Sequence, residues 1–271
     1  MTNRRWLLAL PLATGAGLAA WRRGALSPSG AVGATVVGTA VFGAGGPRAS
    51  ALLLLFFGGS TVLSRSARGE AQARAEGPRR TLAQVLANGG VPAALALAGQ
   101  RDGSPRVMAA YAGALAAANA DTWATEIGRR GSAAPRMVTN GRPAAPGVSG
   151  AVTPLGTAAS FAGAGLLGVA AATLYRPRAR NTARYAVGIA AAGAAGSLVD
   201  SQLGATLQAV YVCRLCAERT EDRAHRHGAT APALTLVRGL PIMTNDTVNL
   251  CASLTGAIIA AALDGQQRQQ E

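Results

Sequence analysis

Lysine is missing from this 271-residue chain, aromatic residues make up 4% of it, and only 14% of its residues are charged. Each shortage excludes something. Without lysine there is no Walker-type phosphate-binding lysine, no Schiff-base lysine and no lysine general base. Phosphate would have to be held by arginine, by backbone N–H groups or through a metal. A soluble chain carries charge at about a quarter of its positions, so the deficit argues for membrane spans. A soluble alanine-rich chain from a GC-rich genome is the alternative, and the long charge-free apolar runs speak against it. Two histidines and three cysteines confine imidazole and thiol chemistry to a few positions.

What is present is apolar, small and basic. Hydrophobic residues make up 49% of the chain, glycine is found 35 times, and the formal net charge is +14. Small residues let helix backbones approach closely in lipid. Every basic residue is arginine, and the arginines lie between apolar runs. That placement suits anionic lipid headgroups better than nucleic acid, so no nucleic-acid partner is expected.

Apolar runs cover Trp6–Trp21, Ala31–Ala44, Ala49–Leu63, Leu82–Ala98, Val107–Ala120, Val152–Tyr175, Tyr185–Val212 and Thr247–Leu263. The first alone would pass for a signal peptide, but more spans follow at once. The expectation is an all-α polytopic helix bundle of seven or eight spans, residues 1–271 as one transmembrane domain, in the cell inner membrane. A polar cytoplasmic loop is expected at 213–244. The positive-inside rule puts Arg65–Arg80, Arg129–Arg142 and Arg214–Arg238 on the cytoplasmic side. The Arg176–Arg184 loop then falls outside, against the rule, so either a span is miscounted or a segment is re-entrant.

Acids and amides at membrane depth are functional candidates by default. One cluster closes the fifth run: Asn119, Asp121, Thr122 and Glu126. On a continuous helix Asn119, Thr122 and Glu126 share a face, and Asp121 needs another segment to complete a metal site. Interfacial polarity at a helix end is the plain alternative. A second cluster sets Ser197 and Ser201 on a small polar stripe beside Asp200, where helix packing also explains the serines. In the third, Asn245, Asp246 and Asn249 open the last run. Thr244, Asn245 or Asp246 would each serve there as an N-cap, which leaves Asn249 unexplained. Between the first two lies a stretch rich in Gly, Ser and Thr, with Thr139, Asn140, Gly147, Ser149, Gly150 and Gly156. Its backbone N–H groups suit an anion. Arg79, Arg80 and Thr81 precede the fourth run.

Cys213 and Cys216 at C-x-x-C spacing, with His225 and His227 nearby, match a structural Zn²⁺ site by ligand count. A redox pair and no special role remain the other readings. Cys251 reads as packing.

Together these clusters resemble a family of polytopic membrane proteins whose characterised plant and cyanobacterial members are phytyl-phosphate kinases of vitamin E salvage. The resemblance runs from about Gly24 onward. It is carried by Arg79 to Gly90 with Asn88, Ala120 to Gly128, Pro146 to Gly156, Gly196 to Ala205, and Asn245 to Asn249. The string Ala120-Asp121-Thr122-Trp123-Ala124-Thr125-Glu126-Ile127-Gly128 is its most specific element. In style it resembles membrane CTP-using enzymes, which also set an intramembrane Asp motif before a Gly-rich loop. The family often has a further Cys where this chain has His227. It commonly has aromatic and acidic residues where this chain reads Pro241-Ile242-Met243-Thr244.

The resemblance implies phosphoryl transfer from a nucleotide, CTP or another, to a phytyl or polyprenyl monophosphate. It implies Mg²⁺ on Asp121, Asp200 and Asp246, with Glu126 a fourth catalytic acid. Arg80, Asn88, Asn119, Thr122, Asn245 and Asn249 would contact phosphate or nucleotide, together with the 139–156 loop, Ser197 and Ser201. The alternative function is a membrane transporter with an intramembrane Asp/Asn site. The nature of the isoprenoid and the oligomeric state stay open.

Overall fold

Proline and hydroxyl residues punctuate the helix starts. Pro28, Pro105 and Pro154 stand in first turns, where the missing N–H costs nothing. Ser27 Oγ and Thr153 Oγ1 cap their helices by accepting from Gly30 N and Gly156 N, each at 3.0 Å. Thr81 and Gln84 form a reciprocal capping box: Thr81 N donates to Gln84 Oε1 at 3.0 Å and Gln84 N to Thr81 Oγ1 at 3.4 Å.

The computed structural model describes residues 2–67, 79–102, 104–176, 181–223, 225 and 233–269. These form eight α-helices: α1 (Thr2–Arg22), α2 (Pro28–Ala40), α3 (Gly46–Ala67), α4 (Leu82–Asp102), α5 (Pro105–Gly128), α6 (Pro154–Tyr175), α7 (Thr182–Thr206) and α8 (Asn245–Gln269). A π-helical turn, Val41–Gly45, joins α2 to α3.

Five short strands correct the purely helical expectation. They are β1 (Arg136–Met137), β2 (Ala151–Val152), β3 (Val210–Cys213), β4 (Arg219–Thr220) and β5 (Leu234–Arg238). β1 pairs with β2, and a second antiparallel sheet has the order β4-β3-β5. The apolar run Tyr185–Val212 therefore splits: α7 ends at Thr206, and β-branched and aromatic Val210-Tyr211-Val212 pair as a strand. The polar segment 213–244 thus includes two strands of a sheet.

The helices alternate in direction between two ends of the molecule. Ser27 N at the start of α2 donates to Arg80 O just before α4. Ser64 near the end of α3 bonds Glu126 near the end of α5, and Arg130 bonds Leu63 O. Arg238 reaches the Gly204 carbonyl at the end of α7. At the opposite end Tyr111 Oη donates to Ala49 O, and Arg176 pairs with Asp264. The segment Pro28–Ser64 consequently doubles back, turning where Gly46 has a φ of +69°. That solves a length problem, because the 22 residues of α3 alone rise about 33 Å, roughly one hydrocarbon core.

α5 lies at the centre, buried at every residue from Ala109 to Ala120. Glycine permits its contact with α8: a Cβ on Gly113 would stand 2.3 Å from Gly256 O, and one on Gly256 2.4 Å from Gly113 O. Four stretches are long and apolar enough to cross a membrane: Pro28–Ser64, Leu82–Gln100, Pro154–Tyr175 and Asn245–Gln269. Leu7, Val36, Phe161, Val187 and Ile258 are among the large apolar side chains turned outward, as a lipid-facing surface requires.

Candidate functional site

A cavity of about 1470 Å³ opens among the helix ends where Arg80, Glu126 and Asn245 meet. It has two chemically distinct walls. One is apolar, supplied by α1, α2 and α3 through residues such as Leu12, Ala16, Val37, Phe42, Leu53 and Phe57. The other is polar and combines Arg79, Arg80, Gln84, Asn88, Asp121, Thr122, Thr125, Glu126, Arg129, Asn245 and Asn249. Three separate sequence clusters converge there, from α4, α5 and α8.

Helix α5 continues unbroken to Gly128, so Asp121 and Glu126 point to different neighbours. Ser64 Oγ donates to Glu126 Oε1 at 2.7 Å, which ties the Glu126 carboxylate to α3. Asp121 lies within electrostatic reach of Asp200 on α7 and of Arg129. Asp200 Oδ2 is buried with no hydrogen-bond partner. Asp121 and Asp200 are near enough for their charges to interact and offer oxygen donors of the kind Mg²⁺ takes, but Asp200 and Asp246 are not among the residues that line the cavity. Asp246 is half-buried one residue inside α8. Among the described residues, Asp121, Asp200 and Asp246 do not bring three ligand atoms within 4.8 Å of one another.

Several expected contacts lie elsewhere. Asn119 is buried and donates through Nδ2 to Gly163 O at 2.8 Å, bonding α5 to α6. Ser197 is buried in α7, and Ser201 Oγ bonds its carbonyl. Thr244 takes the capping role at α8, accepting from Thr247 N. Thr139, Asn140, Gly147, Ser149, Gly150 and Gly156 do not line the cavity. Asn140 Oδ1 accepts from Arg142 N within its own turn. Gly156 packs where a Cβ would meet Ala124 O at 2.8 Å. Ser149 bonds Glu221 Oε2 at 2.7 Å, and Gln208 Nε2 bonds both groups. Sequence reasoning left out Arg129 and Thr125. Both lie within or beside the most specific motif, and only the folded chain shows them at the cavity wall. Arg80 lies 5.9 Å from the Phe57 ring centroid, where the two walls join.

Beyond the cavity, Cys213, Cys216 and His225 bring their ligand atoms within 4.8 Å of one another. His227 lies outside the described residues. The Cys216 thiol is raised above its ordinary pKa. A hydrogen bond with the Glu218 backbone pulls it down, and partial loss of water, Cys213 and the Glu218 carboxylate outweigh that pull.

The relatives of this chain share its membrane character. An integral membrane family model, DUF92, matches residues 11–257. Protein PGR of Arabidopsis thaliana is 30% identical over 268 residues, covering 89% of this chain and 90% of its own. An uncharacterised membrane protein of Methanocaldococcus jannaschii is 28% identical over 239 residues, covering 88% of this chain and 85% of its own. No solved structure matches the chain. With a match spanning nearly the whole bundle and every helix that lines the cavity, the protein belongs to the DUF92 family of integral membrane proteins.

Proposed function

We propose that this protein is a membrane phosphotransferase that converts an isoprenoid monophosphate, phytyl or polyprenyl, to the diphosphate at the expense of CTP or another nucleoside triphosphate. The observation that carries the proposal is the two-walled cavity, with an apolar side on α1–α3 and an Arg, Asp and Asn side on α4, α5 and α8. An isoprenoid phosphate has the same division. Its tail would lie along Leu12, Phe42 and Leu53, and its phosphate would meet Arg80 and Arg129. The sequence resemblance points the same way.

In the reaction an oxygen of the acceptor phosphate attacks the γ-phosphorus. The bond from that phosphorus to the bridging oxygen breaks, and the nucleoside diphosphate leaves. The attacking oxygen is already anionic, so no strong base is needed, and a chain without lysine loses nothing by it. Positioning and charge neutralisation dominate this chemistry. Arg80 and Arg129 orient the acceptor and offset charge on the equatorial oxygens. Asn88, Asn245 and Asn249 supply neutral donors that hold phosphate oxygens in place. Asp121 and Asp200 would hold Mg²⁺, which when bound neutralises nucleotide phosphate charge. As part of the same reading all eight helices cross the bilayer, with the cavity end cytoplasmic.

The test is nucleotide-dependent formation of diphosphate from phytyl or geranylgeranyl monophosphate by proteoliposomes of the purified protein. Wild-type protein should form it, and Asp121→Asn should lose about 10²-fold or more. Wild-type rates in Asp121→Asn, or no product from any nucleotide with either acceptor, would overturn the assignment.

A further inference from the structure

The cavity does not use the side-chain cluster on the small three-stranded sheet. β3 ends at Cys213, which is buried, and the chain then turns through Arg214-Leu215-Cys216. Leu215 N donates to Cys213 Sγ at 3.4 Å, and Ala217 N to Cys213 O at 2.9 Å. Ala217 closes the turn with a φ of 59°, the only positive value at a non-glycine position among the described residues. A left-handed alanine costs energy, and here it turns the chain that follows Cys216 back to pair as β4 alongside β3. An amide directed at the first sulfur suits a thiolate better than a neutral thiol.

His225 completes the group. Its Nε2 is 3.5 Å from Cys216 Sγ. For a tetrahedral zinc, with Zn–S near 2.3 Å and Zn–N near 2.0–2.1 Å, the sulfur–nitrogen separation is about 3.6 Å. The donor set is soft, two sulfurs and an imidazole, which selects zinc over Mg²⁺ or Ca²⁺. Among the described residues a carboxylate stands beside the group: Glu218 Oε2 is 4.0 Å from Cys216 Sγ. Neither cysteine is in a disulfide.

We propose that Cys213, Cys216 and His225 bind a structural zinc ion, with Glu218 as fourth ligand, and that this ion staples the β4-β3-β5 sheet and through it the 136–152 loop. The strands have four, two and five residues, and the two-residue β4 is below the usual strand length, so pairing holds it weakly. Glu221, four residues before His225, accepts from Ser149 Oγ and from Gln208 Nε2. Fixing His225 to β3 therefore fixes the carboxylate that anchors the loop to the end of α7. This inference is independent of the phosphotransferase reading, because its readouts are metal content and backbone protection.

The experiment uses full-length protein purified in detergent without chelators or a metal-affinity column. Wild-type protein and Cys251→Ser should each carry about one zinc per chain by elemental mass spectrometry, and Cys216→Ser and His225→Ala at least tenfold less, about the low end of the losses that broken metal sites show. Replacement of zinc by cobalt in the wild type should add sulfur-to-cobalt charge-transfer absorption. If the variants do not fold, chelation of the wild type replaces them. Hydrogen exchange should then speed up at 136–152 and 208–223 and stay unchanged in α5 and α8. Metal-free wild-type protein, a Cys213–Cys216 disulfide, or unchanged exchange after zinc removal would overturn the proposal.

Discussion

Asn119 and Asp121 stand two residues apart on α5 and have different partners. The Asn119 amide is 1% exposed and bonds the Gly163 carbonyl across the α5–α6 contact. Asn119→Leu removes that bond between the helices; the Gly163 carbonyl keeps its helical bond inside α6, so the cost is that of one hydrogen bond, about 0.5–1.5 kcal/mol. The expected result is a lower thermal midpoint in detergent, with the nucleotide KM of surviving protein unchanged. Asp121→Asn should do the reverse, retaining the midpoint and losing turnover. Ser64→Ala, which removes the donor to Glu126, should lower the midpoint by the amount typical of one hydrogen bond, about 0.5–1.5 kcal/mol when the acceptor is neutral and more when it is charged. The polar positions were legible in the sequence, because acids and amides inside apolar runs are conspicuous. Their division between packing and cavity was not. Helical spacing groups Asn119 with Thr122 and Glu126, yet the bonding partners Gly163 and Ser64 lie 44 and 62 positions away, and spacing within one helix says nothing about them.

At the scale of elements, each of the eight apolar runs contains most of one separate helix, since prolines and capping hydroxyls mark several of the starts, although the run Tyr185–Val212 also takes in β3. The strands were missed because segments of two to five residues are shorter than the window over which periodicity shows. Composition already indicated small-residue packing, and the structure places a close, glycine-to-glycine approach at the α5–α8 crossing. Gly256→Leu forces the helices apart at a place where a single Cβ would already stand 2.4 Å from Gly113 O. Overpacking of this kind costs about 1–3 kcal/mol or more. Little monodisperse protein should be recovered after detergent extraction. Gly58→Ala, where nothing lies within 4 Å of an added Cβ, should leave recovery unchanged. Equal recovery of both variants by size-exclusion chromatography would show that the crossing is looser than described.

At the scale of the whole molecule, arginines collect at both ends of the bundle. The cavity end gathers Arg22, Arg23, Arg79, Arg80, Arg129 and Arg130, with Arg136, Arg142, Arg214 and Arg238 on the adjoining loops and sheet. The other end carries Arg4, Arg5, Arg48, Arg106, Arg184 and Arg268, and also Arg176, which opens the Arg176–Arg184 loop that sequence counting puts on the wrong side. Arg176 is not unopposed. Asp264, buried at 2% exposure, accepts from Arg176 at 2.5 Å and from Arg268 at 2.8 Å, and the Arg176 guanidinium lies 5.0 Å from the Tyr185 ring centroid. Pairing inside the bundle removes most of the bias that Arg176 would give to topology, which no count of loop arginines can reveal. On the orientation proposed above, the cavity end faces the cytoplasm and the end of α8 faces the other side. A phosphatase reporter fused after Glu271 should be active, and a fluorescent reporter fused there dark; the opposite pair of results would invert the orientation. Asp264→Asn leaves two arginines facing a neutral amide in a buried place, and breaking such a pair costs about 3–5 kcal/mol. It also returns positive charge to the far end. The fusion in that variant should show lower phosphatase activity at equal protein level, because a larger share of molecules inserts inverted or is degraded. Unchanged activity and unchanged level would show that neither the pairing nor the charge it hides contributes to insertion.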